Sequence, residues 1–510
     1  MLKIHQRRAL QLCMALLVLF ASMQTFAANY PLELVSPRAA GTAPASGNAA
    51  IDASNRIFRA YPGIEYNIRA IIVGGAYPYT FSLTNAPTGM TINPNTGEIR
   101  WPNPTGTSAS PTITVRDAEG TERSSPWTIS VTTSGFRFVD AAAGQRHPTG
   151  NGTIDNPWRT ISDMVAGGSA SDIVYFRNGT YNALDLPRAS VGSAWERVEI
   201  NNSANKWIAF PGHSPVIDFG YRAGGDPGVI IRLNSRNLYI DGFETRATRI
   251  IGFQIGGGNH SVFRRMRMHQ LNQAGANLDG SNASFIMTLS VYSDSNAGGN
   301  ASVWGQYLTI QDSEFYDAPH DVMLKTYSQW KMVIEDNYFH DARLAVELKA
   351  DMPQFQYRHN RHTNISRVAI GGNMHSYSTS GEINFNLVNA PSGEWALDLN
   401  SDSQAKRIDV YRNTFLGNVK VRNVDSADGP FRLYDNVFIN GESNSTKVRL
   451  ENVSDNSRVI IQNNLTGSPG GGVVDATGLL TSAYAQYRGL RGYEVGNVIR
   501  PRPPSGVTAQ

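Results

Sequence analysis

The sequence has little with which to cross-link itself or to anchor in a membrane. It contains one cysteine, Cys13, so disulfides and thiol chemistry within the mature chain are excluded. Charged residues make up 17% and hydrophobic residues 41% of the 510 residues, which excludes a disordered chain. A single apolar run, at residues 16–20, excludes a multispan membrane protein. The 48 glycines and 25 prolines instead indicate β-structure with many turns.

Residues 1–28 have the features of a signal peptide. Lys3, Arg7 and Arg8 precede the apolar residues 16–20, and small residues follow at 25–28. We therefore expect a protein that is secreted, periplasmic or at the cell surface, with no membrane span after cleavage. The 45 basic and 42 acidic residues give +3, and removal of these three positive charges leaves the remainder near neutrality. No nucleic-acid partner is predicted.

The next hundred residues predict a linker and a small domain. Residues 29–50 are rich in Ala, Gly, Pro and Ser, which is typical of a linker, and 51–134 contain short alternating strands that predict a β-sandwich. The runs 75–83 and 96–101 resemble the Ig-like, cadherin-like modules of bacterial surface proteins. That resemblance implies a spacer or an adhesion role without chemistry. We expect this spacer to fold independently of the residues C-terminal to it.

An internal repeat predicts the architecture of the remainder. The segment 312–315 recurs at 336–339, 412–415 and 435–438, each time after an apolar triplet, and a second triplet follows about fourteen residues later. Such short strands bury their apolar faces only when they stack coil upon coil, about 4.8 Å apart. This predicts an all-β fold with a right-handed parallel β-helix over 135–470, resembling the pectin-lyase-like fold, and a C-terminal cap and tail over 471–510.

A ladder of asparagines is predicted inside this β-helix. Asparagines recur at equivalent turns, where stacked side chains can hydrogen-bond from coil to coil. The predicted ladder contains Asn337, Asn360, Asn413, Asn436 and Asn463.

Two lysines suggest where chemistry takes place. Lys325 and Lys349 are 24 residues apart, so they are expected on neighbouring coils about 5 Å apart on the outer face. A like charge at that distance lowers the pKa of a lysine, as a general base near neutral pH requires. Cleavage of a uronic-acid polymer by β-elimination needs such a base, and also a cation for the developing enolate.

Residues 317–351 resemble the chondroitinase-B and alginate-lyase family, in which a strand-borne lysine is the base. The resemblance implies a polysaccharide lyase acting on an acidic polysaccharide. Where that family has an arginine this chain has Lys349, and Ala318, Pro319 and His320 occupy the place of its acidic calcium ligands. Calcium is implied by the family but its ligands are not identifiable here, so no metal site and no cofactor are predicted. The catalytic candidates are Lys325, Lys349, Arg343 and His340, and the substrate-binding candidates are His320, Glu347, Arg361, Tyr327 and Trp330.

Three alternatives stay open. The lysines are solvated surface charges in the simplest interpretation, and the protein is then a non-catalytic, glycan-binding adhesin. Stacked carboxylates, Asp317 with Asp341 and Asp312 with Asp336, instead suit a retaining glycoside hydrolase, which needs carboxyl groups about 5–5.5 Å apart. Aspartates at these positions also cap turns, which needs no chemistry.

Overall fold

The computed structural model describes most of the chain after the predicted signal peptide, which lies outside the described residues. Within these residues, no helix is both long and apolar enough to cross a membrane. The described residues are 29–493 except 187–188, 191–194, 201–204, 222–227, 234–236, 257, 274, 276–282, 290–304, 350–351, 374–378, 391–393, 402–404 and 489–491.

The N-terminal module is a small β-sandwich. Its core contains Tyr66, Trp101 and Trp127, which are almost fully buried because alternate residues of its short strands point inward. A 3-10 helix, Arg56–Phe58, precedes the second strand. The strands of the module are Glu33–Ser36, Arg59–Ala60, Tyr66–Arg69, Ile71–Val73, Thr80–Thr84, Thr91–Ile92, Glu98–Trp101, Ser108–Ala109, Thr112–Arg116, Glu122–Pro126 and Ile129–Val131.

Part of the segment predicted as a linker is a strand of this module. Glu33–Ser36 pairs antiparallel with Ile71–Val73. Leu34 packs in the core of the module, whereas Val35 points the other way, toward the β-helix. The abundance of small residues in 29–50 obscures this short apolar alternation.

The chain then forms a β-helix with three faces, and face 1 is a continuous sheet. Among the described residues it has twelve strands, and each except the last pairs in parallel with the equivalent strand of the next coil. The strands of face 1 are Phe136–Val139, Ile173–Phe176, Lys206–Ala209, Tyr239–Asp241, Val262–Arg264, Thr309–Gln311, Val333–Glu335, Phe355–Arg358, Gly381–Asn384, Ile408–Tyr411, Phe431–Tyr434 and Val459–Gln462.

Faces 2 and 3 are joined because three long strands bend from one into the other: Glu314–Thr326, Tyr338–Leu348 and Arg361–Asn373. Face 2 also contains Gly179–Asn182, Pro215–Asp218, Glu244–Arg246, Arg267–Met268, Leu387–Asn389, Thr414–Leu416, Val437–Ile439 and Leu465–Gly467. Face 3 also contains Ala189–Ser190, Trp195–Ile200, Gly228–Leu233, Ile251–Gly256, Ser284–Leu289, Trp395–Asn400, Val419–Val424 and Val448–Val453. A two-stranded sheet, Gly305–Gln306 with Gln329–Trp330, lies apart from these faces. The predicted combination of a parallel β-helix and an Ig-like sandwich is confirmed.

Helices are short in the described part of the β-helix. The α-helix Ile161–Gly167 begins with a capping box between Thr160 and Asp163, and it packs Ile161 and Met164 into the core of the first coils. The 3-10 helices are Ala183–Asp185, Asn456–Arg458 and Ser482–Tyr487.

The asparagine ladder exists, with one member corrected and one added. Each amide side chain accepts a hydrogen bond from the backbone N–H of its counterpart one coil earlier, at 2.8–3.0 Å. Asn463 is not a member, because it occupies the preceding left-handed position (φ 57°), and Asn464 takes its place. Asn386, which was not predicted, links Asn360 to Asn413. The ladder is Asn337, Asn360, Asn386, Asn413, Asn436 and Asn464.

The module packs along face 1 and is not a spacer in front of the β-helix. Val35, Ile71 and Val73 form an apolar cluster with face-1 residues that include Phe138 and Tyr239. Burial of apolar surface on this scale makes the module and the β-helix parts of one body.

Buried ion pairs cross the same junction. The guanidinium of Arg69, only 6% exposed, binds Asp312 and Asp336 on neighbouring coils. Arg264 of face 1 binds Glu98 of the module at 2.9 Å, and Arg358 donates to the backbone oxygen of Ile72 at 2.8 Å. The carboxylates at 312 and 336 therefore fasten the module to the coils.

The described part of the C-terminal segment lies along the side of the last coils. Val473 and Leu480 pack against Val437 and Ile439 of face 2, and Tyr493 donates its backbone N–H to the Thr414 hydroxyl at 2.9 Å. Most side chains of the last coil stay partly exposed, as the pattern of Val448–Val453 shows. The cap was predicted at the open end; these residues instead cover face 2.

Candidate functional site

Lys325 and Lys349 lie close together, but not by the stacking that the sequence suggests. The 24-residue spacing holds from Glu314 to Ala318, which pair with Tyr338 to Ala342. The register then shifts, because residues 319–321 bulge out of the strand, and Lys325 pairs with Glu347 instead of Lys349. Lys349 follows the end of its strand and donates its backbone N–H to the Thr326 oxygen at 3.2 Å.

Glu347 bridges the two amines. Its carboxylate lies 3.7 Å from Lys325 Nζ and 3.3 Å from Lys349 Nζ. The Tyr327 ring lies beside both, with its centroid 5.9 Å from Lys325 Nζ and 5.3 Å from Lys349 Nζ. We call Lys325, Glu347, Lys349 and Tyr327 the lysine cluster.

Burial sets the protonation behaviour of the cluster. The Lys325 side chain is 8% exposed, and burial lowers the pKa of its amine, although Glu347 opposes this and Lys349 adds to it. The predicted cause, the like charge of Lys349, is thus secondary. Burial would also lower the pKa of Lys349, but Glu347 and the hydrogen bond to Tyr327 raise it above its ordinary value. Burial raises the pKa of Tyr327. One amine is therefore suited to lose a proton and the other to keep it.

His340 belongs to a second group of side chains, on face 2. Its ring stacks on Tyr316, with centroids 5.0 Å apart, and on Tyr338, with centroids 4.3 Å apart. Its Nε2 lies 3.3 Å from Glu314, which also binds Arg267 at 3.1 Å. We call His340, Tyr316, Tyr338, Glu314 and Arg267 the histidine cluster. It lies on the other side of the strand bend from Lys325, because Asp317 and Asp341 take left-handed backbone conformations between them.

The remaining candidates are distributed around these clusters. Arg361 belongs with the histidine cluster, since its guanidinium lies 5.2 Å from the Tyr338 ring centroid. His320 and Arg343 lie at the bulge, where Arg343 donates to the His320 backbone oxygen at 3.2 Å. Trp330 lies on the separate two-stranded sheet beside Gln306. The structure thus brings together Lys325, Lys349, Glu347 and Tyr327, but not Trp330.

The stacked aspartates have structural partners. Asp312 and Asp336 are bound by Arg69 at the module junction, where buried arginines occupy their oxygens. Asp317 and Asp341 occupy the bend, where Asp341 binds His340 at 2.7 Å and also contacts Asn364. All four aspartates take left-handed backbone conformations at turns, but their carboxylates bind side chains and not the backbone N–H groups that the capping interpretation expects.

Sequence reasoning overlooked two features of these sites. Arg267 and Tyr316 of the histidine cluster were not singled out, although Tyr316 and His340 are 24 residues apart in the repeat that was recognised. Gly371 pairs with Glu347 one coil on, and it is buried, with the Val368 side chain over the place that a side chain of its own would take. The repeat spacing could have identified Tyr316. The same 24-residue spacing separates Glu347 from Gly371.

Metal-ligating side chains do not converge in the part of the chain that the structure describes. No group of three His, Cys, Asp or Glu residues there is arranged to hold a metal ion.

Comparison with known proteins identifies the module. The sequence model of the family described as "Putative Ig domain" matches residues 52–132. No curated protein matches the chain.

Several solved structures resemble the chain at low identity. Pectate lyase Pel9A has 12% identity over 69% of this chain and 82% of its own, with a TM-score of 0.41. The complex of XylC with xylose has 10% identity over 65% of this chain and 86% of its own, with a TM-score of 0.34. The Yersinia enterocolitica family 28 exopolygalacturonase has 11% identity over 82% of this chain and 98% of its own, with a TM-score of 0.35. Similarity at this level does not identify a reaction for this chain. Residues 52–132 are an Ig-like domain that packs along the side of a parallel β-helix.

Proposed function

We propose that this protein is an exported, carbohydrate-active enzyme that cleaves an acidic polysaccharide by β-elimination at the lysine cluster. The observation that carries the proposal is the placing of two amines around one carboxylate, with the Lys325 side chain 8% exposed and the Lys349 side chain 17% exposed. Elimination from a uronate requires a neutral base and a lasting positive charge within one site. The lysine cluster supplies both.

Each member has a distinct role in this mechanism. Lys325 takes the proton α to the substrate carboxylate, because burial favours its neutral form. Lys349 stays protonated and stabilises the negative charge that develops on that carboxylate. The Tyr327 phenol keeps its proton, since burial raises its pKa, and can pass it to the leaving glycosidic oxygen. Glu347 holds the two amines in place.

A row of aligned residues continues from the lysine cluster along face 3. Gly371 follows Glu347 on the outer face, and Asp398 and then Lys420 follow Gly371. Lys420 therefore shares this face with Lys325 but lies four strands away from it.

Elimination assays on alginate, pectate and chondroitin test the proposal. The expected result is a rise in ultraviolet absorbance from the unsaturated product with one of these polymers. In Lys325→Ala this rate falls about 100-fold or more, the scale of general-base catalysis. Lys420→Ala is the matched control, since Lys420 is also an outward, buried lysine (8% exposed) paired with carboxylates; it should keep most of the activity.

Two results would contradict the assignment. Full elimination activity in Lys325→Ala removes the base from the mechanism. New reducing ends without the unsaturated product identify a hydrolase, and binding without any cleavage identifies the adhesin of the alternative interpretation.

A further inference from the structure

A second polar site lies where the Ig-like module meets face 1. A cavity of about 300 Å³ opens there between the strand Glu98–Trp101 of the module and the coil of Arg264 and Arg265. This volume is at the lower end of the range for small-molecule sites. Six of its lining residues are charged: Arg69, Arg100, Arg264, Arg265, Glu98 and Asp312.

The two most buried arginines of this cavity are already engaged by carboxylates. Arg264, 1% exposed, binds Glu98 at 2.9 Å and Asp312 at 3.1 Å. Arg69 also binds Asp312. Because Arg69 and Arg264 are held in these ion pairs, their positive charges are largely cancelled and attract a ligand only weakly.

Arg100 and Arg265 retain unused hydrogen-bonding capacity. Arg100 binds Glu65 through Nε at 2.7 Å, and Arg265 binds Asp241 through Nε at 2.6 Å. Within the described residues, the terminal amino nitrogens of these two side chains have no hydrogen-bond partner. They are 46% and 23% exposed, respectively, so a ligand can reach them. Two guanidinium forks at one cavity favour a planar carboxylate, which each fork can bind through two parallel hydrogen bonds.

We propose that this junction cavity binds a uronate unit of an acidic glycan, with Arg100 and Arg265 on its carboxylate. Thr91 and Asn93 also line the cavity and offer hydroxyl and amide groups to the sugar hydroxyls. The site is distinct from the lysine cluster, because it is built from the module and face 1, whereas the lysine cluster lies on face 3. The choice of an acidic glycan rests on the proposed function, but the binding step does not depend on catalysis.

Calorimetric titration with trigalacturonate tests the proposal. The full chain carries Lys325→Ala and Lys349→Gln, so that cleavage and binding at the lysine cluster do not contribute. Adding Arg100→Gln and Arg265→Gln should weaken binding at least tenfold. Arg116→Gln is the matched control, because Arg116 is an exposed arginine of the same module paired with Glu122; it should leave the affinity unchanged. Arg100→Gln alone, at an exposed side chain, should already weaken binding several-fold.

Each titration has an outcome that would contradict the proposed binding site. Equal affinity with and without Arg100 and Arg265 removes the proposal. Equal binding of neutral maltotriose shows that no carboxylate is recognised, and equal binding of sulfate shows a general anion site without a sugar. A wild-type protein that cleaves no polymer yet shows this arginine-dependent binding contradicts the proposed function and supports the cavity.

Discussion

At the residue scale, the two lysines predict how activity depends on pH. Because the pKa of Lys325 is lowered and that of Lys349 is raised, activity should rise as Lys325 loses its proton below the ordinary lysine value of about 10.4. It should fall only above that value, where Lys349 becomes neutral. Initial rates of elimination across this pH range, on the best substrate, measure both limbs.

The Lys349→Gln variant separates the two limbs. It should lower the plateau rate and leave an alkaline fall that follows the deprotonation of Tyr327 alone, since a glutamine has no proton to lose. A pH profile of Lys349→Gln identical to that of the wild type would show that Lys349 takes no part.

His340 predicts a pH dependence of stability. Burial alone would lower its pKa, but hydrogen bonds to Glu314 and Asp341 raise it above the ordinary value. A raised pKa in the folded state stabilises the protein below the unfolded value of about 6.5, and this stabilisation is lost as pH rises through the folded pKa. Thermal unfolding should therefore occur at lower temperature above this range, by an amount equivalent to about 1.5 kcal/mol, the scale of charge-assisted hydrogen bonds.

His340→Gln should remove this dependence. The exposed His147 provides the control, since His147→Gln leaves the stacked rings untouched. An unchanged pH slope in His340→Gln would assign the effect to another group.

The identity of the clustered residues could be predicted from the sequence, but their geometry could not. Repeat spacing brought Lys325 and Lys349 to one place. Their pairing through Glu347 depends on the bulge at residues 319–321, and the number of residues that a turn absorbs does not follow from composition. Burial, which sets the pKa of Lys325, depends on the whole fold.

At the scale of elements, the asparagine ladder predicts that the loss of one asparagine lowers the stability of the whole β-helix. Asn386→Ala removes the acceptor for the Asn360 backbone N–H and the donor to the Tyr357 oxygen, both buried inside the coils. Leaving buried backbone groups unpaired costs about 1–3 kcal/mol for each group. Thermal or denaturant unfolding should show this loss. Asn418→Ala, at a partly exposed asparagine outside the ladder, should have a much smaller effect.

The ladder also shows what a repeat can and cannot predict. Four of the five predicted asparagines were right because they follow the residue at the left-handed position in each coil. Asn386 was missed since Phe385 stands before it, where other coils have a polar residue. Because residues 463 and 464 are both asparagines, the sequence does not show which of them belongs to the ladder, and Asn463 was predicted in place of Asn464.

At the scale of the molecule, the junction predicts that the module and the coils unfold together. Arg69→Met leaves the buried carboxylates Asp312 and Asp336 without their shared cation. Breaking a buried ion pair on one side costs about 3–5 kcal/mol. We expect a lower unfolding temperature and faster proteolysis near Gly135. The further changes Asp312→Asn and Asp336→Asn should restore part of the stability.

Arg100→Gln serves as the comparison, because its exposed pair with Glu65 contributes at most about 1 kcal/mol. If Arg69→Met unfolds like the wild type, or if residues 136–510 fold alone with full stability, the junction is not essential.

The existence of both domains could be predicted from the sequence, but their contact could not. Arg69 and Asp312 are 243 residues apart, and nothing in their local sequences marks them as partners. The carboxylates at 312 and 336 looked like stacked pairs for catalysis because their spacing matches the coil repeat. Their cation is Arg69 of the module, and it reaches them only because the module lies along face 1.

The contacts of Asn29 indicate the order in which the parts of the chain fold. Its side chain donates to Glu382 at 2.7 Å and accepts from Arg432 at 2.7 Å, contacts that span 353 and 403 residues of sequence. A nascent chain presents its N-terminal module first, so the sandwich can form while the later coils are still being synthesised. The finished sandwich then offers each arriving coil a fixed surface against which to align, whereas the contacts of Asn29 can close only when the final coils arrive. The coils should therefore add one after another from residue 136 onward. The contacts of Asn29 with Glu382 and Arg432 should form last and slowly, because they close a loop of more than 350 residues.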